Sequence, residues 1–301
     1  MNLLNRFRGC LLGLAAGDAV GTALEFKGRG SFAPISDMVG DGPFHLQPGQ
    51  WTDDTSLALC LATSLVECRG FDARDQMERY WRWYREGYLS STGTCFNIGS
   101  TTLGALLRYR DGGNPFSGSP DPMSAGNGSL MRLAPVVMYY HCEHNLALHY
   151  SIESSRTTHA APQCLDACQL FAELLLRTLA GEEKESILMG SRALQFDTDE
   201  ITEIAQGSYM RKSEPEIEGS GYVVKSLEAA LWCFWNTSSY EAAILQAANL
   251  GDDADTTAAV CGQIAGAYYG MEGIPAHWLE RLSMRDEIAV LADQLEAGAP
   301  C

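Results

Sequence analysis

The 301-residue sequence is short of positive charge: 21 Lys and Arg face 38 Asp and Glu, a formal net charge of −17. That balance argues against wrapping a phosphate backbone or lying on an anionic membrane, so neither nucleic acid nor membrane is an expected partner. Paired cysteine motifs are missing as well. The ten cysteines contain no C-x-x-C, and most stand in apolar, helix-like surroundings, as buried free thiols do. A disulfide framework is not expected, and a reducing, cytoplasmic setting fits best. Zinc is disfavoured because His141, Cys142 and His144 cluster without a second half of a site; with His149 these histidines read as surface residues. No window approaches the ~20 apolar residues of a membrane span. The apolar run at 10–16 behind Arg6 and Arg8 is interrupted at Gly13 and ends in Gly17-Asp18, unlike an export signal. Period-2 strand patterns and internal repeats are also missing.

What is present is helical spacing. Leu4, Phe7, Leu11 and Leu14 follow one stripe, and helical patterns recur over 143–155, 162–180, 185–195, 227–235 and 240–248. A last helix carries Ile288, Leu291, Ala292 and Leu295. Small residues at Ala259, Gly262, Ala265 and Gly266 invite close approach by a neighbouring helix. With 46 % hydrophobic residues a substantial core is within reach. The expected fold is all-α, a single domain over 1–301.

Negative charge, by contrast, is concentrated. Residues 249–259 read NLGDDADTTAA, with Asp252, Asp253 and Asp255 close together and no Lys or Arg between Lys225 and Arg281. Thr52-Asp53-Asp54-Thr55 opens another helical pattern, and no Lys or Arg lies between Arg29 and Arg69. Carboxylates so crowded repel unless water, a distant base or a cation compensates. Each cluster reads either as an acidic helix start, with Thr52 or Asp53 as N-cap, or as oxygen ligands for a hard cation. If the helix starts meet, Asp53, Asp54, Asp253 and Asp255 converge with the hydroxyls of Thr52 and Thr256. That set suits a pair of octahedral cations. The long segment 111–129 ends in Gly126-Asn127-Gly128-Ser129 before an apolar pattern at Leu130-Met131-Arg132-Leu133. A Gly-rich turn feeding a helix N-terminus suits a phosphate.

The motifs also carry a resemblance. Arg8-Gly9-x-x-x-Gly13-Leu14-Ala15-x-Gly17-Asp18-Ala19-x-Gly21 with Glu25-Phe26 resembles the opening of the ADP-ribosylglycohydrolase family, which includes the dinitrogenase-reductase-activating glycohydrolases and eukaryotic relatives. T-D-D-T at 52–55, C-F-x-I-G at 95–99, A-G-N-G-S-x-M-R at 125–132, T-H at 158–159 and G-D-D-A-D-T-T at 251–257 follow in the family's order. The resemblance covers residues 6–297. It implies a compact orthogonal multi-helix bundle with a two-metal cleft holding two Mg²⁺ or Mn²⁺. The implied activity removes ADP-ribose from a modified protein side chain, arginine-linked first, or from a related ADP-ribosyl compound. By the same resemblance Thr52, Asp53, Asp54, Asp253, Asp255 and Thr256 hold the metals, and Glu25, Asp54, Asn97 and Asp253 carry catalysis, with Glu25 beside the scissile sugar. Glu25, Asn97, Ile98 and Gly99, the loop Gly126, Asn127, Gly128 and Ser129, and Met131, Arg132, His159 and Tyr222 meet ADP-ribose. Such cleavage passes through an oxocarbenium-like state and needs an activated water and a stabiliser of positive charge.

Two departures stand out. Asn97 replaces the Asp common in C-F-D-I-G, and an amide cannot act as a base, so turnover is expected to slow while binding survives. Asp252 stands where Gly is frequent. Two alternatives therefore stay open: a non-catalytic ADP-ribose-binding or toxin-occluding member, and a two-metal hydrolase of another nucleotide.

Overall fold

The computed structural model describes residues 1–190 and 194–301. Helices follow in the order α1 (Leu3–Gly21), α2 (Asp53–Cys68), α3 (Ala73–Glu86), α4 (Ser100–Gly112), α5 (Ala134–Tyr139), α6 (His144–Arg156) and α7 (Pro162–Leu179). Then come α8 (Lys184–Gly190), α9 (Asp199–Ala205), α10 (Val223–Asn236), α11 (Tyr240–Ala248), α12 (Ala254–Tyr269), α13 (Ala276–Arg281) and α14 (Arg285–Ala297). Among the described residues the β pairings are isolated bridges, so the fold is all-α. The helix expected over 185–195 is α8; residues 191–193 lie outside the described residues.

The fold is organised around α1 and α12, which pack antiparallel with almost no side chain between them. A Cβ added at Gly9 would lie 2.2 Å from the Gly266 carbonyl oxygen, at Gly13 2.5 Å from that of Gly262, at Gly17 2.3 Å from that of Ala258, and at Gly21 2.3 Å from that of Ala254. From the other side, a Cβ at Gly262 would meet the Gly13 oxygen at 2.1 Å. Small residues every fourth position thus form one face of each helix, and backbone packs on backbone. The partner implied by Gly262 and Gly266 is therefore α1. Tyr240 of α11 joins them, its hydroxyl donating to the Gly13 carbonyl at 2.6 Å. Leu14, Ala58 and Ala259, from α1, α2 and α12, pack as a small separate cluster. This register sets the C-terminal end of α1 beside the N-terminal ends of α2 and α12.

Three expectations change. The stripe on α1 is no stripe, because nearly every residue from Phe7 to its end is buried. Residues 3–24 are in fact long and apolar enough to cross a membrane by composition, but 94 % of the most apolar window is buried inside the protein, so the hydropathy is that of a core helix. Finally, Cys142 and Cys301 form a disulfide, a pairing across 159 residues that spacing could not reveal. His141 Nε2 lies 3.4 Å from Cys142 Sγ; Cys301 is the missing neighbour of that group, and it arrives as a disulfide partner. The remaining cysteines are free.

Candidate active site

Asp18, one turn before the end of α1, is fully buried and organises the start of α2. Its carboxylate accepts from the Thr52 amide (2.9 Å) and hydroxyl (2.9 Å) and from the Thr55 amide (3.1 Å) and hydroxyl (2.6 Å). Burial pushes its pKa up to about 6 against the opposing pull of these bonds. Thr52 is the N-cap residue of α2, as expected, but makes no capping bond. Its hydroxyl instead stands 2.9 Å from Asp18 Oδ1, 3.1 Å from Asp54 Oδ2 and 3.2 Å from Asp255 Oδ2. One hydroxyl proton serves one acceptor at a time, so the other contacts need another source of positive charge.

The two acidic helix starts do meet. Carboxylate oxygens of Asp18, Asp54 and Asp255 lie within 4.8 Å of one another, and so do those of Glu25, Asp253 and Asp255, with Asp255 common to both groups. Asp54 Oδ1 and Glu25 Oε2 are buried and have no hydrogen-bond partner among the described residues. Burial first, and neighbouring carboxylates second, push Asp53, Asp54 and Asp255 well above the usual carboxylate range. Burial also raises Asp253, opposed by its bond from Asn127, and lifts Glu25 to about 7 against hydrogen bonds involving Asp255 and Asn97. Crowded oxygens, two of them orphaned, fit a hard divalent cation. Asp18, with both oxygens already occupied by four donors, orients Thr52 and α2; Asp54 keeps Oδ1 free to bind, while Asp255 accepts from the Thr256 amide on Oδ1 and from Asn97 on Oδ2.

The cluster opens into a cavity of about 740 Å³. Glu25, Asp53, Asp253 and Thr256 line it beside the carboxylates. Asn97, Ile98 and Gly99 contribute from the loop before α4, and Gly126, Asn127, Gly128, Met131 and His159 from the glycine loop and its neighbour. Asn97 donates from Nδ2 to Asp255 Oδ2 at 3.1 Å, and Asn127 from Nδ2 to Asp253 Oδ2 at 2.6 Å. His159 is buried, Nδ1 stands 2.8 Å from the Thr158 hydroxyl, and burial pushes its pKa down to about 3. It is therefore neutral at physiological pH.

Three expected substrate contacts are placed differently. Arg132 is fully buried behind the glycine loop, donating to the Gly128 carbonyl at 2.8 Å and the Thr158 hydroxyl at 2.7 Å, with its guanidinium 4.8 Å from the Tyr80 ring centroid. It shapes the loop instead of reaching the cavity. Ser129 is buried too, accepting from the Ser155 hydroxyl at 2.8 Å. Tyr222 lines an adjoining cavity of about 580 Å³, which shares Gly126 and Gly221 with the main one. The glycine loop itself leads into turns, and α5 begins only at Ala134. Besides the starts of α2 and α12, the N-terminus of α4 faces the cavity, where Ser100, Thr101 and Thr102 follow the N-cap Gly99. Gln263 of α12 fixes the turn, donating to the Met131 carbonyl at 2.9 Å and accepting from the Ala134 amide at 2.8 Å.

The fold and the cleft together make an all-α scaffold whose helix ends gather carboxylates able to hold a divalent cation, beside a glycine loop and a helix N-terminus. The comparisons specify it. The profile of the ADP-ribosylglycohydrolase family matches residues 1–300, and the chain belongs to that family. It is 44 % identical over 297 residues to the ADP-ribosylarginine hydrolase Tri1 of Serratia proteamaculans, covering 99 % of this chain and 80 % of the relative. It is 45 % identical over 299 residues to the protein of the same name from Pseudomonas putida, covering 99 % and 79 %. A solved chain from an ADP-ribosylglycohydrolase-related protein complex superposes with a TM-score of 0.89 at 43 % identity, covering 99 % of each chain.

Proposed function

We propose that this protein hydrolyses the bond between ADP-ribose and an arginine side chain, reversing mono-ADP-ribosylation of a target protein. The observation that carries this reading is the meeting of Glu25, Asp54, Asp253 and Asp255 at one end of a cavity large enough for a nucleotide. The relatives named ADP-ribosylarginine hydrolase support the arginine linkage.

Asp54, Asp253 and Asp255, with Thr52, Asp53 and Thr256 beside them, are the residues that would hold two Mg²⁺ or Mn²⁺ ions, which would supply Lewis acidity to water and sugar hydroxyls. The residues of the chain do the rest. Carboxylates around the anomeric carbon stabilise the cationic sugar as the bond lengthens. Glu25, whose Oε2 is unpartnered, takes the proton of the attacking water. The first amides of α4, which have no partner within the helix, and the loop at Gly126–Gly128 receive the diphosphate. His159, neutral and pressed against Gly128, offers an uncharged ring edge to the ligand.

The test is ADP-ribose release from ADP-ribosylated arginine, serine and O-acetyl-ADP-ribose in Mg²⁺, with and without EDTA. Release from the arginine-linked compound, abolished by EDTA, is expected. Full activity in EDTA overturns the metal role. ADP-ribose binding without release from any compound favours the non-catalytic reading, which Asn97, set against Asp255 where the family commonly has Asp, keeps specific.

A further inference from the structure

We propose that Phe26 and Asp252 form the subsite for the guanidinium of the departing arginine, and so set the linkage this protein cleaves; the proposal rests on the hydrolase reading above.

The two residues are joined through their backbones. The Phe26 amide donates to the Asp252 carbonyl at 2.7 Å, and the Asp252 amide donates to the Lys27 carbonyl at 2.8 Å. Both have left-handed backbones, with φ of 61° and 56°, where a glycine would sit without strain. The sequence keeps a phenyl ring and a carboxylate there instead, and both line the main cavity. Such strain held at a ligand cleft is maintained by the surrounding structure.

Neither side chain is used by the fold. Phe26 is 69 % exposed. Its ring stands edge-on to Phe44 with centroids 6.3 Å apart, and Phe44 lies 5.2 Å from Phe96, so a row of rings runs from Phe26 toward the residue preceding Asn97. Asp252 is exposed and enters no ion pair among the described residues. The bases that follow Phe26 in the sequence are committed elsewhere. Lys27 donates to the Ala23 carbonyl at 3.0 Å, and Arg29 to the carbonyls of Leu250, Glu214 and Ile217. An aromatic face beside a free carboxylate is the pair that a planar, delocalised, weakly hydrated cation selects: the ring takes its face and the carboxylate its edge. A neutral serine-linked or acetyl leaving group gains nothing from either.

Position completes the case. Phe26 follows Glu25 and Asp252 precedes Asp253, so both recognition groups adjoin residues at the carboxylate cluster. The subsite is therefore at the bond to be cut and not at the nucleotide end.

The test compares Asp252→Asn, which keeps the shape and removes the charge, and Phe26→Leu, which keeps apolar bulk and removes the ring, with Phe26→Tyr as rescue. For ADP-ribosylarginine in Mg²⁺, the first two are expected to raise KM about five- to tenfold relative to each variant's own affinity for free ADP-ribose, with Phe26→Tyr near wild type. Equal losses for both ligands, or no change in the ratio, overturn the subsite. If the wild type releases no ADP-ribose, the hydrolase reading fails instead, and ADP-ribosylarginine is measured as a ligand. Tighter binding than free ADP-ribose, lost in Asp252→Asn, then supports the subsite; equal binding of the two compounds overturns it.

Discussion

Asn97 shows how one atom changes the electrostatics of this cleft. Its backbone is left-handed at φ 58°, a conformation Asn and Asp adopt more readily than most residues, and it aims Nδ2 at Asp255 Oδ2. An Asp in the same pose would bring a further anion against Asp255, which enters no ion pair among the described residues. The amide relieves that repulsion but can neither accept a proton as a base nor bind a cation as a carboxylate does. Asn97→Asp is therefore expected to raise kcat, on the order of 10²-fold if the carboxylate moves a proton in the rate-limiting step, while ADP-ribose affinity changes little. Single-turnover release of ADP-ribose measures it, and an unchanged rate would show that position 97 only positions the ligand. Residue identity made this departure legible in the sequence, as it did the pairing of Thr52, Asp53 and Asp54 with Asp253, Asp255 and Thr256. Asp18 was the residue passed over. It stood in the opening motif as a carboxylate in an apolar helical run, but its role depends on which helix start lies across from it. Arg132 failed for the converse reason: its motif is real, but its direction is decided by Thr158 and Tyr80, which are distant in sequence.

The site is assembled by elements more than by motifs. The ends of α1, α2 and α12 meet because glycines fix the register of α1 on α12, and the carboxylates follow. Helical periodicity revealed both helices and the small residues of α12, but not that Gly9, Gly13, Gly17 and Gly21 face them; that match requires three-dimensional phase. The N-terminal ends of α2 and α12 present the positive end of their dipoles to the carboxylates, which compensates part of the repulsion locally. Gly262→Ala tests the linkage. Its Cβ would lie 2.1 Å from the Gly13 oxygen, so the helices must separate, at a cost of about 1–3 kcal/mol or more. Because Asp18 and Asp255 ride on the separating helices, Mg²⁺ affinity is expected to weaken as well. Gly28→Ala, where an added Cβ meets nothing within 4 Å, is the matched control. Thermal unfolding and Mg²⁺ titration of both variants decide it: lost stability with undiminished Mg²⁺ affinity would uncouple the helix pair from the site.

At the scale of the whole molecule, a chain of net charge −17 gathers largely buried carboxylates that enter no ion pair among the described residues, so the cation-free protein is expected to be strained by its own charge. Burial raises Asp18 to about 6 and Glu25 to about 7, against about 4 in an unfolded chain. Folded-state values above the unfolded ones mean that protons favour the fold. The contribution is whole below about pH 4 and is lost as pH rises through 6 to 7. Between pH 5 and 8 the cation-free protein should therefore lose stability, and a divalent ion that replaces the protons should restore it. At a concentration about 100-fold above its Kd, such an ion adds about 2.7 kcal/mol, or roughly 4 °C in Tm for a chain of this length. Unfolding is followed in EDTA and in Mg²⁺ at pH 5 and pH 8, at ionic strength matched with NaCl. The Mg²⁺ gain is expected to be larger at pH 8 and absent in Asp255→Asn, because Asp255 belongs to both carboxylate groups. An equal gain at the two pH values, or the same gain from NaCl alone, would reduce the effect to general screening of surface charge and remove the cation from the site.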